Sequence, residues 1–503
     1  MDRLLLGIDF GTGGCKVTAI TFDGRIVGDC SVEYTTFHEY SNWSEQNPAD
    51  WYSACCQALK KLSESGVDLK KVESVSFDGS THNAVLLDGK MNPLRRTIMW
   101  TDQRSTEECA ALREIKDKIL HIAYQMPTPT WTLPQLMWLQ KHEPEVMKKV
   151  KHILFVKDYV RYLFTGVAVT DYIEAQGTLF YDMGEQQWST ELAELAGLSR
   201  KVLPELVTPT TQTGVVTAQA ARDTGLTEGI PVICGTSDSA VEDYGAGAIE
   251  PGDAIIKLAT AGNVNVMTDR AYPDPGTLTY SHVIPGMWYT VAATNAAALC
   301  QRWFRDLFCQ EEAAFAETCG KKVYALMDEL AEKSPIGANG VFFHPYLQGE
   351  RSPYWDANLR ASFTGVSIAS QKGDFIRALF EGVAFSLLDC YGLIENMGLP
   401  VKRIFFIGGG AKSRLWSEIV CNIFNLPVQV PTVGDASFGT ALLAGTGIGV
   451  WKDSAEAVKH CLSIDREMIP DPAKSALYKE LFAEYKSIHA ALAPVYAARA
   501  AKK

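Results

Sequence analysis

A chain of 503 residues is too long for one compact core, and length alone predicts two domains of roughly 200 to 250 residues with a ligand cleft between them. A composition of 47% hydrophobic and 21% charged residues excludes a disordered or fibrous chain, and 47 Lys plus Arg against 59 Asp plus Glu, a net charge of -12, argues against a nucleic-acid-binding surface. The 12 Cys include the adjacent pair Cys55-Cys56 but no Cys-x-x-Cys spacing, so they read as reduced thiols rather than a disulfide or zinc framework.

Leu4 to Ile8 form a short apolar strand closed by Asp9 and the turn Phe10-Gly11-Thr12-Gly13-Gly14, and Lys16 to Ile20 form a second strand. Asp23-Gly24 then closes a hairpin into a third strand, Arg25 to Val32. No basic segment or cleavable apolar stretch precedes this pattern and no long apolar run follows it, which predicts a cytoplasmic protein without a membrane partner. Asn47-Pro48 to Leu62 reads as a helix, Val72 to Phe77 and Ala84 to Leu87 as strands, and residues 105–164 as mainly helical.

Ala254 to Met267 repeats the opening design of strand, small-residue turn and strand, with Thr260 corresponding to Thr12. The repeat predicts two similar α/β domains with a boundary near Gly245 to Gly252. In the second half, Ile376, Leu379, Val383 and Leu387 share one helix face. Val401 to Ile407 is a buried-strand pattern running into Gly408-Gly409-Gly410, with a helix following through Leu415 to Phe424. Ala490 to Lys503 reads as a frayed surface helix.

The first turn has the chemistry of a phosphate site. Asp9 ends a strand where its carboxylate can face Mg²⁺, Gly11 and Gly13 let main-chain amides approach phosphates, Thr12 adds a hydroxyl and Lys16 a charge. A plain hairpin fits that turn equally well when it is taken alone, and the second copy at Thr260 favours the phosphate reading. Neither Gly-rich turn is a Walker A sequence, since Gly408-Gly409-Gly410-Ala411-Lys412-Ser413 lacks the Gly before Lys.

Asp238 follows the apolar segment Pro231-Val232-Ile233 and is placed either to accept a proton from an acceptor hydroxyl or to cap the next helix. Two polar clusters suit a polyhydroxy ligand: Asp78-Gly79-Ser80-Thr81-His82-Asn83, and Trp100-Thr101-Asp102-Gln103-Arg104. His82 and Arg104 have the alternatives of a helix cap and a surface ion pair.

Taken in order, these motifs resemble the FGGY carbohydrate kinases over nearly the entire chain. Ala361 to Val366 followed by Asp374 to Glu381 is similar to that family's C-terminal signature, and Gly408 to Ser413 to its adenosine-binding turn. The resemblance implies two ribonuclease H-like, actin-like ATPase domains flanking a central cleft. Residues 1–246 would carry sugar binding, the first phosphate loop and the base, and 247–503 the second phosphate loop and the adenosine site. Within the family the likeness is to xylulokinases, through Trp43 to Pro48, Thr81-His82, Trp100 to Arg104, and Gly349-Glu350-Arg351-Ser352-Pro353.

Residue by residue, the resemblance implies that Asp238 is the general base and Asp9 the Mg²⁺ organiser. Thr81, His82, Trp100, Arg104 and Ser239 would join Asp238 at the sugar. Gly11, Thr12, Gly13, Lys16, Thr260, Ala261, Gly262, Gly409, Gly410 and Ser413 would hold ATP. The implied reaction converts D-xylulose and ATP to D-xylulose 5-phosphate and ADP, and a homodimer is compatible with the family. Departures from the pattern are Ser239 for Asn, Thr81 for Met, Gln135 for Lys, and Leu258-Ala259-Thr260-Ala261-Gly262 for Leu-Gly-Thr-Ser-Gly. If Ala259 needs a positive φ it is strained. Alternative readings are a kinase for another ketose, polyol or aldonate, an actin-like ATPase, or a sugar-responsive binding protein.

Overall fold

The computed structural model describes residues 3–502, which form two compact units. The first contains the chain up to Ile249 together with Arg270–Trp288 and Val433–Leu462; the second contains Glu250–Asp269, Tyr289–Thr432 and the chain from Ser463.

The first unit is built on strands β1 (Leu4–Gly11), β2 (Gly14–Thr21), β3 (Ile26–Glu33), β4 (Val72–Gly79), β5 (Gln212–Val215) and β6 (Pro231–Ser237), in the order β5-β6-β4-β1-β2-β3. β1 pairs antiparallel with β2 and parallel with β4, and β4 pairs parallel with β6. A strand in the middle of such a sheet is covered on both faces, which is why Leu4, Leu5, Leu6, Ile8 and Phe10 are all buried. β3, at the edge, alternates half-buried and exposed residues along its whole length.

The same hairpin beside a parallel strand recurs in the second unit. There β7 (Asp253–Leu258) pairs antiparallel with β8 (Gly262–Thr268) and parallel with β10 (Arg403–Ile407), within the order β9-β8-β7-β10-β11-β12, where β9 is Trp288–Thr294, β11 Val428–Pro431 and β12 Ile464–Met468. The repeat expected at Thr12 and Thr260 is therefore a repeat of hairpins, with each threonine in the turn. Helix Lys372–Asn396 carries Ile376, Leu379, Val383 and Leu387 as buried residues, in agreement with the periodicity.

Residues 105–164 hold five helices and one strand, His152–Phe155, which pairs with Ala84–Leu87. The C-terminal segment from Ala490 belongs to a 29-residue helix, Pro472–Ala500, anchored by buried Tyr478 and Tyr485. No helix among the described residues is long and apolar enough to cross a membrane.

Helix Ala436–Gly447 joins the first unit although it lies far along the chain. It is buried from Ala436 to Gly445 and starts at Asp435, whose carboxylate accepts the Phe438 N–H at 3.1 Å. Its contact with helix Asp238–Gly245 is backbone on backbone: a Cβ on Gly439 would lie 2.0 Å from the Val241 carbonyl oxygen, and one on Gly245 would lie 2.8 Å from Gly439 Cα. Gly439→Ala is expected to lower the unfolding free energy by about 1–3 kcal/mol through overpacking, as read by urea denaturation. Gly13→Ala is the matched control; no atom lies within 4 Å of the added carbon, and its effect should stay within about 0.5 kcal/mol.

Candidate active site

Three neighbouring parallel strands of the first unit end at one edge of the sheet. Asp9 of β1 is paired in register with Asp78 of β4, and β6 ends at Ser237, directly before Asp238. Asp78 is fully buried, and its Oδ2 accepts the hydroxyl of Thr440 on helix Ala436–Gly447. Asp9 Oδ1 is buried without a hydrogen-bond partner among the described residues. Desolvation pushes the Asp9 carboxyl up to about 7, against the effect of its hydrogen bond with Asp78, and the charges of Asp238, Asp435 and Glu242 add to the rise. Burial, then the Asp9 charge, raise Asp78 well above the carboxylate range.

Lys16 stands opposite Asp9 across the β1–β2 ladder. Its ammonium is held by Asp435 at 2.8 Å and Asp29 at 3.4 Å.

Asp238 is the first residue of helix Asp238–Gly245, and the N-cap position falls on Ser237. Asp238 Oδ1 accepts the Ser239 N–H at 2.7 Å, the Ser239 hydroxyl at 3.1 Å and the Thr81 hydroxyl at 3.3 Å. Thr81 and His82 form the corner after β4. His82 has φ 56°, in the left-handed region that a β-carbon disfavours. Its ring is buried against Trp131, with centroids 5.0 Å apart, and desolvation pushes its pKa down to about 3, so the imidazole is neutral at physiological pH. Tyr280, from the segment Arg270–Trp288, packs on Trp131 at 6.5 Å between centroids. Burial first, then the charges of Asp238 and Glu174, raise the Tyr280 hydroxyl pKa.

Trp100 is 37% exposed, and its indole N–H donates to Thr12 Oγ1 at 2.9 Å, tying the second polar cluster to the turn after β1. Arg104 is buried. It meets Asp102 at 2.7 Å and Glu45 at 2.8 Å, with its guanidinium carbon 3.6 Å from the Trp43 ring centre. Gln135 is buried too, and its amide donates to the carbonyls of Met99, Pro129 and Thr130. The structure thus gathers Asp9, Lys16, Thr81, His82, Asp238 and Ser239 around the ends of β1, β4 and β6. It places Trp100 on the Thr12 turn and sets Arg104 in an ion-pair pocket of its own.

In the second unit, the turn Ala259-Thr260-Ala261 between β7 and β8 is pinned to the start of helix Ala298–Phe308. The N–H groups of Ala297 and Ala298 donate to the Thr260 and Ala259 carbonyls at 2.9 and 2.8 Å, and Arg302 donates to Thr260 Oγ1 at 3.3 Å. Ala259 is not among the residues with positive φ, so its methyl group brings no left-handed strain. After β10, Gly408 has φ 88° and a Cβ there would stand 2.5 Å from the Leu258 carbonyl oxygen, so the turn excludes any side chain. Gly409 and Gly410 continue it, and Ser413 caps helix Arg414–Phe424 by accepting the Trp416 N–H at 3.0 Å.

Family models for the FGGY family of carbohydrate kinases match residues 4–245 with the N-terminal domain and residues 257–448 with the C-terminal domain. The chain belongs to the FGGY carbohydrate kinases. A xylulose kinase of Staphylococcus epidermidis (strain ATCC 12228) is 32% identical over 494 residues, covering 97% of each chain. Among solved structures, a xylulose kinase from Rhodospirillum rubrum is similar with a TM-score of 0.89 at 28% identity, covering 98% of this chain and 100% of that one. A gluconate kinase from Lactobacillus acidophilus gives a TM-score of 0.89 at 26% identity, covering 99% of each. The two-domain, ribonuclease H-like and actin-like architecture of this kinase family accounts for the repeated hairpins.

Glu174, Trp131 and Tyr280 join this cluster without having been singled out by sequence. Only the fold brings them to Thr81 and His82, and no local motif marks them. The carboxylate cluster itself yields a stability test. Folded, Asp9 holds its proton up to about 7, against 3.8 as its ordinary value. Folding therefore takes up a proton between those limits, and this contribution to stability falls as pH rises through them. Asp9→Asn, neutral at every pH, should gain in melting temperature relative to the parent protein between about pH 4 and pH 8, as followed by scanning fluorimetry. Parallel melting curves would show that Asp9 is not held neutral.

Proposed function

We propose that this carbohydrate kinase transfers the γ-phosphoryl group of ATP to D-xylulose, giving D-xylulose 5-phosphate and ADP, with Asp238 as the general base. The observation that carries this reading is the placement of Asp238. Its carboxylate is half-buried at the start of a helix and hydrogen-bonded by Thr81, whose neighbour His82 packs its neutral ring on Trp131, which in turn meets Tyr280. Full-length likeness to xylulose kinases supports the choice of acceptor.

In this reading, residues 1–246 hold the sugar, the first phosphate loop and the base, and 247–503 the second phosphate loop and the adenosine. Thr81, His82 and Ser239 orient the sugar, and the Thr81 hydroxyl fixes the Asp238 carboxylate. The acceptor hydroxyl passes its proton to Asp238 as its oxygen forms the new bond to phosphorus. Amides of Gly11, Thr12 and Gly13 hold phosphate oxygens of ATP, as do those of Thr260, Ala261 and Gly262, while Gly409, Gly410 and Ser413 line the adenosine. Lys16 would turn to phosphate only by exchanging its bonds to Asp435 and Asp29.

Mg²⁺ fits the donor set. Asp9 Oδ1 is a buried oxygen without a partner, in a cluster of carboxylates whose repulsion a cation relieves. No group of three or more His, Cys, Asp or Glu among the described residues forms a ready-made cage, in keeping with an ion held by one or two carboxylates together with substrate phosphates. Bound there, Mg²⁺ supplies charge neutralisation for the phosphates.

The gluconate kinase likeness supports a second reading, an aldonate acceptor, because Thr81 and Gln135 depart from the xylulokinase pattern. ADP release measured across D-xylulose, other ketoses, polyols and D-gluconate decides between them, with the largest kcat/KM expected for D-xylulose. ATP turnover that needs no acceptor would overturn the kinase mechanism. Asp238→Asn should leave ATP affinity nearly intact and cut phosphorylation by about 10² to 10⁴-fold; near-normal turnover would reassign Asp238 to a structural role.

A further inference from the structure

The corner that presents Thr81 and His82 is held from behind by a carboxyl group that the transfer step does not use. Glu174, on the short helix Tyr172–Gln176, is 1% exposed, and its Oε1 accepts the backbone N–H of His82 at 2.5 Å. The His82 carbonyl accepts the Thr132 hydroxyl at 2.6 Å. The peptides on both sides of the His82 Cα are therefore fixed, and they hold it at φ 56°. Nor is there slack behind the corner, since a Cβ on Gly177 would stand 2.8 Å from both His82 Cδ2 and Thr81 Cγ2.

Buried ion pairs lie near Glu174. Lys157 pairs with Asp158 at 2.6 Å and Asp171 at 2.8 Å, and Arg161 pairs with Asp158 at 2.8 Å, all of them buried. Two cations are matched by two anions, and Glu174 makes no ion pair among the described residues. Burial accordingly raises its carboxyl well above the usual range. Glu174 Oε2 makes no hydrogen bond among the described residues. The acceptor is anchored because Asp171 caps its helix by accepting the N–H groups of Ile173 and Glu174.

We propose that Glu174 is a positioning residue for the sugar acceptor: by accepting the His82 N–H it sets the left-handed corner that presents His82 to the sugar and Thr81 to Asp238. The proposal rests on the sugar-kinase reading above. Its test uses the full-length protein and the variants E174A, E174Q and T132V, assayed with D-xylulose and ATP varied in turn, or with D-gluconate if that is the acceptor the parent protein uses.

In E174A the sugar KM should rise about tenfold or more, the loss expected when a buried donor is left without its acceptor, while the ATP KM stays within about twofold. E174Q keeps an acceptor oxygen and should recover most of the lost sugar affinity. T132V should shift the sugar KM in the same direction by a smaller factor. An unchanged sugar KM in E174A, equal losses for sugar and ATP, or no recovery in E174Q would overturn the proposal. If E174A does not fold, T132V decides, with a sugar-selective rise in support and an unchanged sugar KM against. A parent protein that turns over no sugar would instead defeat the underlying reading.

Discussion

Adjacent parallel strands carry Asp9 and Asp78 at paired positions, and this register forces two carboxyl groups into one poorly solvated space. Two like charges 4 Å apart repel by about 4 kcal/mol at an effective dielectric of 20, and desolvation adds to that cost. The fold relieves the conflict with the Thr440 hydroxyl on Asp78 and with carboxyl groups whose pKa values burial raises. Helix Ala436–Gly447 delivers Thr440, and the glycine contact with helix Asp238–Gly245 brings it close enough to do so. One close helix contact therefore supports both the acidic pair and the helix that begins at Asp238.

Around that acidic edge, burial shifts the neighbouring titratable groups away from their charged forms at His82 and Glu174. Burial holds the His82 imidazole neutral and pushes the Glu174 carboxyl pKa well above the usual range. A polyhydroxy acceptor is recognised by hydrogen-bond donors and acceptors, whereas a charged corner would compete for the phosphate end of the reaction. The ion pairs of Lys157, Arg161, Asp158 and Asp171 are buried away from that corner's solvent-facing groups.

The hairpin repeat, the turn after β1, the position of Asp238 and the family signature were legible because each is a local pattern of apolar run, glycine and polar residue. Helix Ala436–Gly447 left no such trace of its packing: its buried stretch is nearly continuous and rich in small residues, so no periodicity marks the face that meets the sheet. Trp100 and Arg104 were legible as polar and aromatic residues after a strand, but not in their partners. Thr12 is 88 positions from Trp100, and the Glu45 and Trp43 that receive Arg104 lie on a separate segment. The strand His152–Phe155 was hidden by the helices on either side of it in sequence.

The two hairpin turns carrying Thr12 and Thr260 differ in how they are held. In the first, Thr12 Oγ1 is met by the Trp100 indole and the Thr12 carbonyl by Gln46, both from segments far along the chain. In the second, Thr260 is met by Arg302 and by backbone N–H groups at the start of the helix that follows β9. Ala259 sits in that second turn without a positive φ, so the glycine usual at this place is not required by backbone conformation here. Ala261 lacks the hydroxyl of the usual serine and can offer a phosphate only its main-chain amide. The arginine bonded to Thr260 places a cation at this turn, whereas Lys16 beside the first turn is paired with two aspartates. If both turns hold phosphate as proposed, the second has an arginine bonded to a hydroxyl, whereas the lysine beside the first is already engaged by carboxylates.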